Sequence, residues 1–328
     1  MKIPAHVSPL LERSANFAIE FALNAHLPQF NKKASSEPEC VAAFVLFSLP
    51  KIARDWSKLL SPHGIALSVS GVFCHQSPMV RFDTLGRVWP PAGRPKRCEL
   101  ADLLIVHDNK VNGKIAHRRA VLIQAKKTVS GIVSAPDPVQ YHLYNQLPLF
   151  EIETRTFMSG PRDFTQAMAS QFAWSGMQYG LIRDTAGSLS TWHMHDPLSP
   201  LTCLPNQQLS RFLTDMLVNS SPAGRAAVPG GSDDWDRTID ELLAVTTART
   251  FRLKWFLPSG SARAGALHLG VLAAGGTFYE FGADRLPSAM SDFMGVSGGD
   301  RPPRGEEPDR PGPGAGVSTV LFETDRED

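Results

Sequence analysis

Three polar side chains interrupt two short apolar runs about twenty residues apart. The first run is Cys98-Glu99-Leu100-Ala101-Asp102-Leu103-Leu104-Ile105-Val106, the second Ala120-Val121-Leu122-Ile123-Gln124-Ala125-Lys126-Lys127. Both read as strands, rich in Leu, Ile and Val and too short for independent helices. Alternation along a strand puts Gln124 and Lys126 on one face and Ile123 and Ala125 on the other. Half-burying an acid, an amide and an ammonium costs free energy unless they meet one another, water or a metal. Three such residues on adjacent strands suggest a site. The competing reading is a solvated edge hairpin with lysine as an edge guard.

Asn112-Gly113 between the runs is a strong hairpin signal, so the two strands are expected to be antiparallel. Asp102 followed, across a hairpin, by Gln124-Ala125-Lys126 resembles the PD-(D/E)XK nuclease superfamily, in the QxK variant similar to Mrr-like enzymes. The resemblance covers roughly residues 60 to 150. It implies catalytic roles for Asp102, Gln124 and Lys126. Asp102, Gln124 and the Ala125 backbone carbonyl would hold Mg²⁺ or Mn²⁺, and Lys126 would steady the attacking water or phosphorane. In many members an acid on the first helix also reaches the metal, and Glu20 is the candidate; a solvent-facing acid on an amphipathic helix is its alternative. The implied fold is α/β, a restriction-endonuclease-like αβββαβ core around a mixed sheet. The implied function is metal-dependent DNA cleavage, with a role in bacterial defence resting on the resemblance alone. A rival reading is a catalytically silent module that binds nucleic acid or a nucleotide and signals to a partner protein.

The elements that must position these residues follow from local signals. Residues 8–28 read as a helix opened by Ser8-Pro9, and residues 39–60 as a second, kinked or split at Pro50. Residues 64–82 read as a strand broken at Pro78. Residues 83–97, with several Gly and Pro among arginines, read as a basic loop. Asp137-Pro138 pairs an N-cap with a first-turn proline, opening a helix over 139–147. A helix over 164–175 and a strand over 176–182 are expected next, then amphipathic helices over 206–219 and 233–255 and a hairpin across 267–281. Residues 297–316 have the composition of a disordered segment, and Val317–Phe322 suit a terminal edge strand. The expected organisation is a nuclease-like domain over 1–200, a mainly helical extension over 201–296 and a Pro/Gly-rich tail over 297–328.

The net charge of +1 conceals an asymmetry: residues 1–150 carry 18 Lys and Arg against 10 Asp and Glu, the remainder 15 against 22. Arg94, Lys96, Arg97, Arg118, Arg119 and Lys127 cluster near the motif, as a polyphosphate backbone would require. Beside the motif this charge favours nucleic acid; the resemblance implies DNA as the partner, with a partner protein or homo-oligomer also considered. No membrane span is expected, since no long uncharged apolar run occurs. The start of the chain lacks a hydrophobic signal core, which points to the cytoplasm. The four cysteines show no C-x-x-C spacing, and no G-x-x-x-x-G-K-[ST] occurs. Gly295-Val296-Ser297-Gly298-Gly299 matches G-x-S-x-G without the strand and helix that motif needs. His193 and His195 have strand i, i+2 spacing, but no third ligand is evident.

Overall fold

The computed structural model describes residues 3–27, 33–74, 78–84, 94–133, 137–153, 157–165, 176–197, 201–202, 207–218, 223–247, 268–272 and 317–326. In chain order its elements are helices α1 (Ser8–Asn24), α2 (Glu37–Ala43) and α3 (Leu49–Leu60), and strands β1 (Ile65–Cys74), β2 (Met79–Phe82), β3 (Lys96–Glu99), β4 (Leu103–Val111), β5 (Lys114–Thr128) and β6 (Ile132–Val133). Then come α4 (Pro138–Gln146), β7 (Phe150–Ile152), β8 (Met177–Arg183), β9 (Thr191–His195), β10 (Leu201–Thr202), α5 (Leu209–Leu217), β11 (Arg225–Ala226), α6 (Asp234–Thr247), β12 (His268–Leu272) and β13 (Ser318–Arg326).

Central to the fold is a mixed sheet ordered β12-β1-β13-β4-β5-β8-β9, with β11 also pairing β5. The β4–β5 hairpin turns on Asn112 and Gly113, with φ of 51° and 75°. Positive φ at both positions matches the right-handed twist of the flanking strands. Both strands run further toward this turn than their apolar runs suggested. On one face Leu103, Ile105, Val121, Ile123 and Ala125 join the core built with α1, α2, α3 and α5. On the other, Leu104, Val106, Ala120 and Leu122 meet α4, α6 and a small sheet ordered β3-β2-β7. Burial on both faces explains why these strands read as continuous apolar runs.

The first apolar run is not one strand. It breaks at Leu100-Ala101-Asp102, where the chain passes from the small sheet into the central one. The Leu100 N–H donates to the Pro78 carbonyl (3.0 Å) and the Asp102 N–H to the Ile123 carbonyl (2.9 Å). The expected helix over 39–60 is likewise two, joined by a π-helical stretch at Phe44–Ser48. Pro50 has no N–H to donate and its ring crowds the preceding turn, so the backbone widens ahead of it.

Val317–Phe322, expected at an edge, lies in the interior. The strand containing it pairs antiparallel with β1 and parallel with β4. Val317 and Val320 are fully buried and Thr324 on the same strand is equally covered, as an interior strand requires. The described part of 201–296 has no core of its own: Leu209, Leu213 and Met216 of α5 pack into the core shared with α1, and Trp235, Ile239 and Leu242 of α6 into the opposite one. The expected elements over 166–175, 248–255 and 273–281, and the G-x-S-x-G and 297–316 stretches, fall outside the described residues. Among the described residues, no helix is long and apolar enough to cross a membrane.

Candidate functional site

Asp102 stands at the break where the chain enters β4, with its backbone already bonded to β5. Its Oδ2 accepts from the Ala125 N–H at 2.7 Å and from the Gln124 side-chain amide. The carboxylate is thereby tied to the strand that carries the rest of the motif. Gln124 follows Leu122 on the face of β5 that looks toward α4 and the small sheet. It is 1% exposed, and its Oε1 is buried without a hydrogen-bond partner. Such an orphaned acceptor costs roughly 1–3 kcal/mol.

Lys126, two residues on, shares that face. Its Nζ lies 3.8 Å from Oε2 of Glu37, while the other oxygen of Glu37 accepts from the Lys127 N–H at 2.9 Å. Glu37 is placed by the start of α2, where Ser36 and Glu39 form a reciprocal capping box. Lys127 points the other way, donating to the Ser35 carbonyl (2.8 Å) and pairing with Asp184 (2.6 Å). Asp184 also takes Lys33 and Ser190, and these hydrogen bonds, Lys127 first, hold its carboxyl well below the usual range.

The electrostatics mark a shared site. Burial, and then the charge of Glu99, push the Asp102 carboxyl up to about 7, with Lys126 and the Ala125 N–H acting in the opposite direction. Burial also raises Glu99, against the attraction of Lys126. Tyr144 donates its hydroxyl to the Leu100 carbonyl at 2.8 Å and so braces the turn that presents Asp102. Tyr179, in register with Gln124 across the parallel β5–β8 pair, buries a hydroxyl without a partner. Glu37, Glu99 and Tyr179 were not singled out from the sequence as site residues. Glu99 carried a signal, three residues before Asp102 in the same run; Glu37 sits in Ser36-Glu37-Pro38-Glu39, which reads locally as a helix start and no more.

The other candidates are placed as follows. Glu20 is on α1, whose inward face is Leu11, Ala15, Ala18, Ile19, Ala22 and Leu23; helical periodicity turns Glu20 away from that face and from the sheet. The helical glutamate that reaches the motif is Glu37. For Ala125, the group in contact with Asp102 is the N–H. Arg118 is buried and paired with Asp108 (2.6 Å) and Asp240 (2.7 Å), and Arg119 donates to the Ala223 and Gly224 carbonyls (3.1 and 2.9 Å). Neither arginine therefore presents its charge freely. Arg97 pairs with Glu153, and Arg94 and Lys96 are exposed at the start of β3. His193 bonds Thr191 and His195 bonds the Asp196 carbonyl. Among the described residues, no three His, Cys, Asp or Glu side chains are placed to hold a metal ion together.

A divalent ion with oxygen ligands would need the Asp102 and Glu99 carboxylates and the Gln124 amide oxygen. The orphaned Oε1 beside a carboxylate fits a hard cation, which favours such oxygens. Comparison of the chain with models of known families, with curated proteins and with solved structures yields no match.

Proposed function

We propose that the protein is a metal-dependent DNA endonuclease of the restriction-endonuclease-like type. One observation carries this reading: Asp102, just ahead of β4, is in direct contact with Gln124 of β5, and Lys126 lies on the same face of β5 as Gln124. The connectivity supports it. Helices precede β1, then come β4 and the antiparallel β5, then α4, then β8 parallel to β5. Counting these central-sheet strands alone and setting aside β2, β3, β6 and β7, the order reads αβββαβ, with β13 laid between the first two strands.

Mg²⁺ or Mn²⁺, when bound, supplies a Lewis acid that neutralises phosphate charge and acidifies water. Asp102, Glu99 and Gln124 are the residues that would hold it. Lys126, half-buried with its Nζ 3.8 Å from Glu37, would act as an ammonium that stabilises charge building on the phosphorane more than charge on the resting diester. Arg94 and Lys96 offer exposed charge for the DNA backbone. A second reading, a silent nucleic-acid-binding module, draws on the hydrogen bonds that occupy Asp102 Oδ2.

Nicking of supercoiled plasmid separates the two. Cleavage is expected with Mg²⁺ or Mn²⁺, none with EDTA and none for Lys126→Ala. A wild-type protein that binds DNA yet cuts nothing under any divalent ion would retire the nuclease reading.

A further inference from the structure

The outer face of α1 carries an apolar stripe that nothing described in the chain covers. Leu10, Phe17 and Phe21 are 48%, 59% and 51% exposed. The two phenyl rings stack on each other with centroids 6.5 Å apart, and Lys51 of α3 stands 5.2 Å above Phe17. Scattered exposed apolar residues are ordinary, but three large ones on one side of a helix, two of them stacked, mark a contact surface.

The charges flanking the stripe indicate what covers it. At about 100° per residue, Arg13 and Glu20 fall on the same flank of the stripe. They are equidistant from a point between Asn16 and Phe17, near the middle of the helix. Among the described residues neither makes an ion pair. A two-fold axis through that midpoint, normal to the plane of two antiparallel α1 helices, keeps each flank on its own side and reverses the order of residues along it. Arg13 of one copy then meets Glu20 of the other, twice, while Leu10 reaches the neighbourhood of the opposite Phe21. Such self-complementarity is what an isologous interface requires, and flanking charge pairs set orientation in packed helices.

We propose that the protein forms a two-fold dimer through antiparallel α1 helices, with Leu10, Phe17 and Phe21 at its centre. The proposal is independent of the nuclease reading. The helix is about 25 Å long, so an interface confined to it is small and should dissociate in the micromolar range.

Sedimentation equilibrium of the full chain tests it. The wild type should show a monomer–dimer equilibrium, and Phe17→Glu with Phe21→Glu should stay monomeric with an unchanged circular-dichroism spectrum. Arg13→Glu and Glu20→Arg should each weaken association about tenfold or more. The double variant Arg13→Glu/Glu20→Arg should regain it, and an equimolar mixture of the two single variants should associate more tightly than either alone. A wild type that remains monomeric to several hundred micromolar, or charge swaps that fail to restore association, would overturn the proposal. The first of these results would assign the stripe to a different partner.

Discussion

Asp102 is the residue at which burial and chemistry conflict most. Burial first, then the charge of Glu99, raise its carboxyl to about 7, against an ordinary value of 3.8. The folded state therefore holds its proton more tightly than the unfolded chain does. This group's contribution to stability is fully present below about pH 4, declines as the pH rises, and is gone above about pH 7. Asp102→Asn should match the wild type near pH 4 and exceed its stability by about 1–4 kcal/mol at pH 8, read by urea denaturation across pH. Parallel pH profiles for the two proteins would show that Asp102 is ionised and solvated throughout. Gln124 and Lys126 are tested in the other direction. Gln124→Glu adds a carboxylate where the amide oxygen lacks a partner, so Mg²⁺ affinity by calorimetry should hold or rise; a complete loss of binding would give Gln124 a different role. Lys126→Met should lower turnover by a factor of 100 or more while DNA affinity, measured in Ca²⁺, changes only a few-fold.

At the scale of elements, the hairpin that bears the site is stabilised by ions that its position in the sequence suggested were meant for DNA. Arg118 on β5 holds Asp108 on β4 and Asp240 on α6, and Asp108 is 2% exposed. Removing the guanidinium leaves that carboxylate buried and unpaired. Arg118→Ala should cost about 3–5 kcal/mol by denaturant titration. It should leave the salt dependence of DNA binding by the folded protein unchanged. A stable Arg118→Ala protein with weakened binding would return this arginine to the nucleic-acid interface. His107, on the same strand, joins β4 to its neighbours in a similar way, bonding the Met216 carbonyl of α5 and Thr324 of β13. Burial holds its imidazole down to about 4, neutral at ordinary pH.

For the whole molecule, the decisive feature is the last strand. β13 lies between β1 and β4, two strands formed far earlier in the chain, and joins them into one sheet. A protein ending before Val317 would leave two inner strand edges and both adjoining cores open. It is expected to be insoluble or to lack a cooperative melt by circular dichroism, and a folded, soluble truncation would show that β1 and β4 can pair without it. The basic asymmetry of the chain also reads differently in three dimensions. Of the six cations grouped near the motif, Arg94 and Lys96 are the exposed pair with no ion pair among the described residues. Replacing both should lower the log–log salt slope of duplex binding by about 0.9 for each phosphate that these side chains neutralise. An unchanged slope would place the DNA on another face.

Several features of this protein were determined locally and were legible in the sequence. Asn112-Gly113 imposes the hairpin because its residues accept positive φ, and Asp137-Pro138 opens α4 because the aspartate accepts from the Val139 and Gln140 N–H groups. Pro50 interrupts its helix because proline cannot donate; the strand expected over 64–82 is instead two, β1 and β2, in different sheets. Asp102 and Gln124 meet because two adjacent strands were readable as a pair. Contacts between residues far apart in the chain were decided by tertiary structure alone. Glu37 reaches Lys126 because α2 packs against the end of β5, and Glu20 turns outward because α1 buries its opposite face. The sequence placed Arg118 among free cations; Asp240, 122 residues away, makes it structural. Val317–Phe322 shows the same limit. Its composition states that it is a strand, but whether a strand lies at an edge or in the interior depends on which hydrogen-bonding edges the rest of the chain leaves open.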